Sequence, residues 1–82
     1  MKFSIEYAEG VARDLRAIST HYRQQILDTI DKQLIHLPLE ETRNKKILAG
    51  LEPPWEYLPP VRELRVGDYR VFYDVEEVEG IV

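Results

Sequence analysis

Residues 2–7, KFSIEY, alternate between apolar and polar side chains. The apolar positions are Phe3, Ile5 and Tyr7. A period of two is typical of a strand with one buried face. This segment is therefore predicted to form a half-buried β-strand at the start of the chain.

The pattern then changes to a helical period. Val11, Leu15 and Ile18 recur at i, i+4 and i+7, which predicts a short first helix. A second helix, capped by Ser19 or Thr20, should run towards Pro38, because proline disfavours a helical residue before it. Its apolar stripe consists of Tyr22, Ile26, Ile30, Leu34 and Leu37, widened by Leu27. Two helices joined this closely form an antiparallel hairpin.

Residues 38–60 give weaker signals. The segment LEETRNKKILAG, residues 39–50, suggests a helical turn that ends at Gly50. Residues 51–60, LEPPWEYLPP, carry four prolines in ten positions, which excludes an interior strand and favours a loop or an edge segment. Trp55 and Tyr57 either pin this loop to the domain or make it a recognition loop.

The segments VRELRV and YRVFYDV, on either side of Gly67-Asp68, predict the two strands of a β-hairpin. Glycine first in a two-residue loop favours a type II′ turn. The segment VEGIV, residues 78–82, looks like the start of one more strand. The predicted order is β-α-α-β-β-β in a single domain, residues 1–82. The fold class is α+β, an antiparallel sheet with the N-terminal helical hairpin packed on one face.

The hairpin register raises a question about charge. If the loop has two residues, Arg65 lies directly opposite Arg70, on the sheet face turned away from the helices. Like charges in this position destabilise a strand pair. Either acids such as Glu63 neutralise the pair, or the pair binds an anion, because guanidinium groups match the geometry of phosphate.

Composition narrows the classes of function. The net charge of −4 argues against non-specific binding to nucleic acid. The absence of cysteine excludes disulfides and thiol chemistry and fits the cytoplasm. No apolar run approaches the roughly 20 residues that span a membrane. His21 and His36 lack companion ligands, so neither a metal nor a cofactor is expected. Six of the 11 basic residues nevertheless cluster in two short stretches, namely Arg43, Lys45, Lys46, Arg62, Arg65 and Arg70.

The element order, the segment KKILAG and above all RELRVGDYRVFYDV resemble the RelE/ParE superfamily of toxins from type II toxin–antitoxin systems. The resemblance implies one of two activities. RelE-like toxins are ribosome-dependent endoribonucleases that cut mRNA, whereas ParE-like toxins inhibit DNA gyrase and cut nothing. Both are neutralised by a cognate antitoxin.

By position, the resemblance gives Arg70 the role of steadying the scissile phosphate and makes Arg65 its catalytic neighbour. Arg62, Lys45 and Lys46 would extend the phosphate-binding site. Glu63 stands where RelE carries a lysine, and the chain ends at Val82 before the family's usual last strand end and tail.

The leading expectation from the sequence is an mRNA-cleaving toxin that meets the ribosome and mRNA. A gyrase-inhibiting toxin and a catalytically silent module that only binds an antitoxin are the alternatives. In each case the partner is an antitoxin, and assembly into a homo-oligomer stays open.

Overall fold

The computed structural model describes residues 2–50 and 53–82. In this part of the chain, two helices precede a three-stranded antiparallel sheet in the order β1-β2-β3. The elements are α1 (Val11–Arg16), α2 (Thr20–Leu34), β1 (Lys45–Ile47), β2 (Arg62–Val66) and β3 (Tyr69–Tyr73). The predicted α+β class is confirmed.

The helices follow the apolar stripes in their middle sections. Ile26, Ile30 and Leu34 of α2 are buried, as predicted. The prediction is wrong at the two ends of the stripe, since Tyr22 and Leu37 are about half exposed. Leu37 lies outside the helix because α2 ends at Leu34, three residues earlier than the stripe suggests.

The junction between the helices is fixed by a side chain of α2. Ser19 is the residue before α2, as predicted, but its side chain makes no capping hydrogen bond. Arg23 instead donates hydrogen bonds to the carbonyls of Leu15 and Ile18, each at 2.9 Å. The Leu15 carbonyl also accepts from the backbone N–H of Ile18, so the two bonds from Arg23 tie α2 to the last turn of α1 and to the junction that follows it.

Residues 39–50 correct the sequence-based prediction. They contain no helical turn; Lys45–Ile47 form β1, which pairs with β2 through Lys45↔Leu64, Lys46↔Glu63 and Ile47↔Arg62. Pairing with β2 gives this segment backbone hydrogen bonds to a neighbouring strand. A single isolated helical turn would be unstable, because helix nucleation is unfavourable. Leu51 and Glu52 lie outside the described residues, and 53–60 form a loop without strand, as predicted.

The strands predicted at the two ends of the chain are present only as isolated bridges. Ser4 pairs with Ile81 in parallel, and Glu76 pairs with Ile81 antiparallel. Phe3 donates to the carbonyl of Ile35 at 2.7 Å, which ties the N-terminal segment to the end of α2. The alternation of residues 2–7 therefore positions Phe3 in the core without a full strand.

The core lies between the helices and one face of the sheet. It consists of Phe3, Ile26, Ile30, Leu34, Leu64, Val66 and Val82. The other sheet face is turned away from the helices, and the candidate site is found there. No helix in residues 2–50 and 53–82 has the length and apolar character needed to cross a membrane.

Candidate functional site

The hairpin has the register that the sequence predicts. Val66 pairs with Tyr69, Arg65 with Arg70, and Leu64 with Val71. Gly67 has a φ of 58°, and no residue other than glycine has a positive φ in the described chain. Asp68 therefore has a negative φ, which is the combination of a type II′ turn.

Side chains of β1, β2 and β3 that point away from the helices form what we call the open face. Its members are Lys46, Glu63, Arg65, Arg70 and Phe72. The period of two along each strand brings them together. Three cationic side chains share this face with one carboxylate, so the open face is locally positive on an acidic protein.

Glu63 and Arg70 form an ion pair across the two strands. The Nε atom of Arg70 lies 3.5 Å from Oε1 of Glu63. The Glu63 side chain is 3% exposed and that of Arg70 58% exposed. Glu63 thus neutralises one member of the arginine pair, and in residues 2–50 and 53–82 Arg65 has no ion-pair partner.

The buried Glu63 carboxylate relies on Arg70 to compensate its negative charge. Oε1 of Glu63 accepts no hydrogen bond from any group in the described chain. A buried charge without a partner carries a desolvation cost of several kcal/mol. Arg70 supplies the nearest compensation, so its guanidinium is held towards Glu63 while its outer side stays in solvent.

Next to the cations lies an aromatic corner, which we define as Trp55, Leu58 and Phe72. The ring centroids of Trp55 and Phe72 are 6.1 Å apart at an interplanar angle of 47°. The backbone N–H of Leu58 donates to Oδ2 of Asp74 at 2.7 Å. The first contact fixes the proline-rich loop to β3 and the second fixes it to the residue after β3, yet all three corner residues remain about half exposed.

Lys45, one of the predicted phosphate-binding residues, is 1% exposed and lies on the helix-facing side of the sheet. Its Nζ donates to the carbonyls of Leu37 at 2.8 Å and Gln33 at 3.1 Å, and it lies 3.7 Å from Glu40. The ammonium group therefore caps the end of α2 and does not reach the open face.

Arg62 is also separated from the arginine pair. It is buried on the helix-facing side, where Nη1 donates to the carbonyl of Leu39 at 3.3 Å. Of the three predicted phosphate-binding residues, only Lys46 shares a face with Arg65 and Arg70. A strand prediction for residues 45–47 could have shown this, because pairing Lys45 with Leu64 places it on the core side.

Tyr73 also lies on the helix-facing side of the sheet, and the pKa of its phenol is shifted there. Burial raises the pKa of the Tyr73 phenol, Arg62 opposes the rise, and Glu41 adds to it. The hydroxyl donates to the carbonyl of Pro38 at 3.4 Å. The Tyr73 hydroxyl therefore helps to hold the loop after α2 against the sheet.

The arrangement on the open face suits recognition of an anionic group beside an apolar one. Arg65, Arg70 and Lys46 offer N–H donors, and the aromatic corner offers flat apolar surface. No group of three or more His, Cys, Asp or Glu side chains in residues 2–50 and 53–82 is placed to hold a metal ion.

Comparison with known proteins supplies the family. A family model described as the ParE toxin of the type II toxin–antitoxin system parDE matches residues 5–82. No curated protein and no solved structure matches the chain significantly. The match covers the helices, the sheet and the open face, and it confirms the resemblance seen in the hairpin sequence. The chain therefore belongs to the ParE toxin family, within the RelE/ParE superfamily, and is the toxin of a type II toxin–antitoxin system whose partner is a cognate antitoxin.

Proposed function

We propose that this toxin acts as ParE-like toxins do, by binding and inhibiting DNA gyrase without cutting nucleic acid. The observation that carries the proposal is the family match, which names the ParE toxin and spans residues 5–82. The expectation of mRNA cleavage, drawn from the hairpin motif, thereby becomes the second candidate.

The state of Arg70 supports this order of preference. Its guanidinium already has an anionic partner in Glu63, at 3.5 Å. A phosphate placed on Arg70 would bring its own negative charge close to a buried carboxylate, and like charges repel strongly where the dielectric constant is low. An RNA-cleaving site would instead gain from cations whose charge is still available to the transition state.

The composition of the open face also suits a protein target. Arginine and aromatic side chains, here Arg65, Arg70, Trp55 and Phe72, are enriched in the energetically important centres of protein interfaces. Because they lie side by side, one contiguous surface can make both ionic and apolar contacts. We infer that the open face and the aromatic corner form the target-binding surface.

Cleavage of mRNA on the ribosome remains the second candidate because of one specific observation. Arg65 and Arg70 are direct neighbours on an exposed face, and Arg65 has no ion-pair partner in the described residues. Two adjacent guanidinium groups can hold one phosphate between them.

Two assays performed side by side with the purified chain distinguish the candidates. The first measures DNA supercoiling by gyrase, and the second measures cleavage of an mRNA programmed into ribosomes. The proposal expects inhibited supercoiling and intact mRNA. Cut mRNA with unaffected gyrase would overturn it and establish the second candidate, and no effect in either assay would favour a silent antitoxin-binding module.

A further inference from the structure

A cleft lies between the proline-rich loop and the residue that follows β3. Its volume is about 570 Å³, and it is lined by Trp55, Glu56, Tyr57, Leu58 and Asp74. Two of these residues, Trp55 and Leu58, belong to the aromatic corner, so the cleft continues the surface that we assign to the target. One side of the cleft is open to solvent. This shape suits a side chain presented by another protein better than a small molecule, which an enclosed site usually surrounds.

The charge of the cleft is opposite to that of the open face. Glu56 and Asp74 supply two carboxylates, and no lysine or arginine is among the described residues that line the cleft. Within residues 2–50 and 53–82, neither carboxylate forms an ion pair. Oδ2 of Asp74 accepts the backbone N–H of Leu58 at 2.7 Å, so this carboxylate is held in place. The cleft therefore offers two negative charges that a cation from another molecule can neutralise.

Aromatic residues determine which kind of cation fits the cleft best. Trp55 and Tyr57 flank Glu56 in the sequence, and both line the cleft. The Trp55 ring is fixed by its contact with Phe72. A planar guanidinium group can stack on an aromatic face and donate two parallel hydrogen bonds to a carboxylate, whereas an ammonium group is more strongly hydrated and lacks this flat geometry. The combination of rings and carboxylates therefore favours arginine over lysine.

We propose that this cleft binds the guanidinium group of an arginine side chain that the toxin's protein target presents. Glu56 and Asp74 neutralise the guanidinium, and Trp55 and Tyr57 supply the rings on which it stacks. The cations of the neighbouring open face meet an acidic side chain of the same target, so the recognised surface carries both charges. Binding of arginine by the cleft stands independently, whereas the choice of gyrase as its source rests on the proposed function.

The fluorescence of Trp55 reports directly on the cleft, because the chain has no other tryptophan. The purified chain is titrated with three blocked tripeptides in which arginine, citrulline or lysine stands between two glycines. Citrulline retains the shape of arginine without its charge. We expect the arginine peptide to change the fluorescence saturably and to bind roughly tenfold more tightly than the citrulline peptide. The proposal fails if the arginine peptide does not bind, or if either of the other peptides binds as tightly.

The variants Asp74→Asn and Glu77→Gln separate the cleft from the overall charge, since each removes one negative charge. Asparagine retains an oxygen that can accept the N–H of Leu58, so the loop keeps its anchor. Glu77 is exposed and does not line the cleft. Asp74→Asn should weaken binding of the arginine peptide roughly threefold to fivefold, the effect of losing one partly exposed ion pair. Glu77→Gln should leave the affinity unchanged, and equal affinities of the two variants would rule out the cleft.

The source of the arginine is tested by DNA supercoiling with purified gyrase. Glu56→Gln/Asp74→Asn removes both carboxylates of the cleft, and Glu77→Gln/Glu79→Gln removes two exposed carboxylates that do not line it. The cleft variant should need roughly tenfold more protein than the native chain for the same inhibition, and the control variant should match the native chain. Equal inhibition by both variants would exclude gyrase as the source. If the native chain binds the arginine peptide but leaves gyrase unaffected, the proposed function and this source both fail, and the cleft stands as an arginine site.

Discussion

Arg65 and Arg70 occupy equivalent positions on facing strands, but replacing them with alanine should have opposite effects on stability. Considered only as a pair of like charges, either arginine should be dispensable, because its removal relieves repulsion of a few tenths of a kcal/mol. The ion pair with Glu63 breaks this equivalence, since Arg70 alone contacts the buried carboxylate, at 3.5 Å.

The magnitude follows from the exposure of the two partners. Exposed ion pairs contribute about 0.2–1 kcal/mol, whereas removing one partner of a fully buried pair costs about 3–5 kcal/mol. Here Glu63 is 3% exposed and Arg70 is 58% exposed, so the pair lies between these limits. Arg70→Ala should therefore lower the free energy of unfolding by about 1–2 kcal/mol, and Arg65→Ala should leave it unchanged or raise it slightly.

Urea denaturation of the two variants, followed by circular dichroism, measures the difference. The matched control is Glu63→Gln, which removes the buried charge and retains the shape of the side chain. In that background, Arg70→Ala should cost less than about 0.5 kcal/mol, because no carboxylate is left unpaired. Equal unfolding free energies for Arg65→Ala and Arg70→Ala in the native background would refute the reasoning.

Three further substitutions test the core side of the sheet. Lys45→Met should lower the free energy of unfolding by about 1–3 kcal/mol, because the carbonyls of Gln33 and Leu37 lose a donor. Lys46→Met, at the exposed neighbouring position, should lower it by less than about 0.5 kcal/mol in the same urea titration. Leu64→Ala should cost about 2–5 kcal/mol, since Leu64 is 0% exposed, whereas Val78→Ala, at an exposed position, should be nearly neutral in thermal unfolding. The pKa of the Tyr73 phenol is raised in the folded chain, so the unfolded chain loses the phenol proton at a lower pH than the folded chain does. The contribution of Tyr73 to stability is therefore fully present below about pH 10 and is lost as the pH rises further. Denaturation at pH 9 and at pH 10.5 should show a smaller fall for Tyr73→Phe than for the native chain, and an unchanged fall would contradict the assignment.

The hairpin was predictable because its signals are local. Gly67 followed by Asp68 fixes the loop length, and the period of two then determines every cross-strand neighbour from Arg62↔Tyr73 to Val66↔Tyr69. The buried middle of α2 was predictable for the same reason, since a helical period needs only nearby residues.

Features that depend on distant partners were not predictable. β1 has three residues, and its sequence shows no alternation of apolar and polar side chains. This strand forms because it pairs with β2. The role of Lys45 followed from that pairing, and an isolated KK sequence looks like exposed surface. Glu63 was recognised as a neighbour of the arginines, but only the structure shows that its carboxylate is buried against Arg70.

Inhibition of gyrase by purified variants tests the proposed target-binding surface most directly. The double variant Arg65→Ala/Arg70→Ala removes two cations from the open face, and Arg13→Ala/Arg16→Ala removes two from the exposed positions of α1. The account predicts that the native chain and the α1 variant inhibit supercoiling equally. The open-face variant should need at least about tenfold more protein for the same inhibition, as expected when interface arginines that contribute more than about 1.4 kcal/mol are lost. Equal inhibition by both double variants would contradict the account.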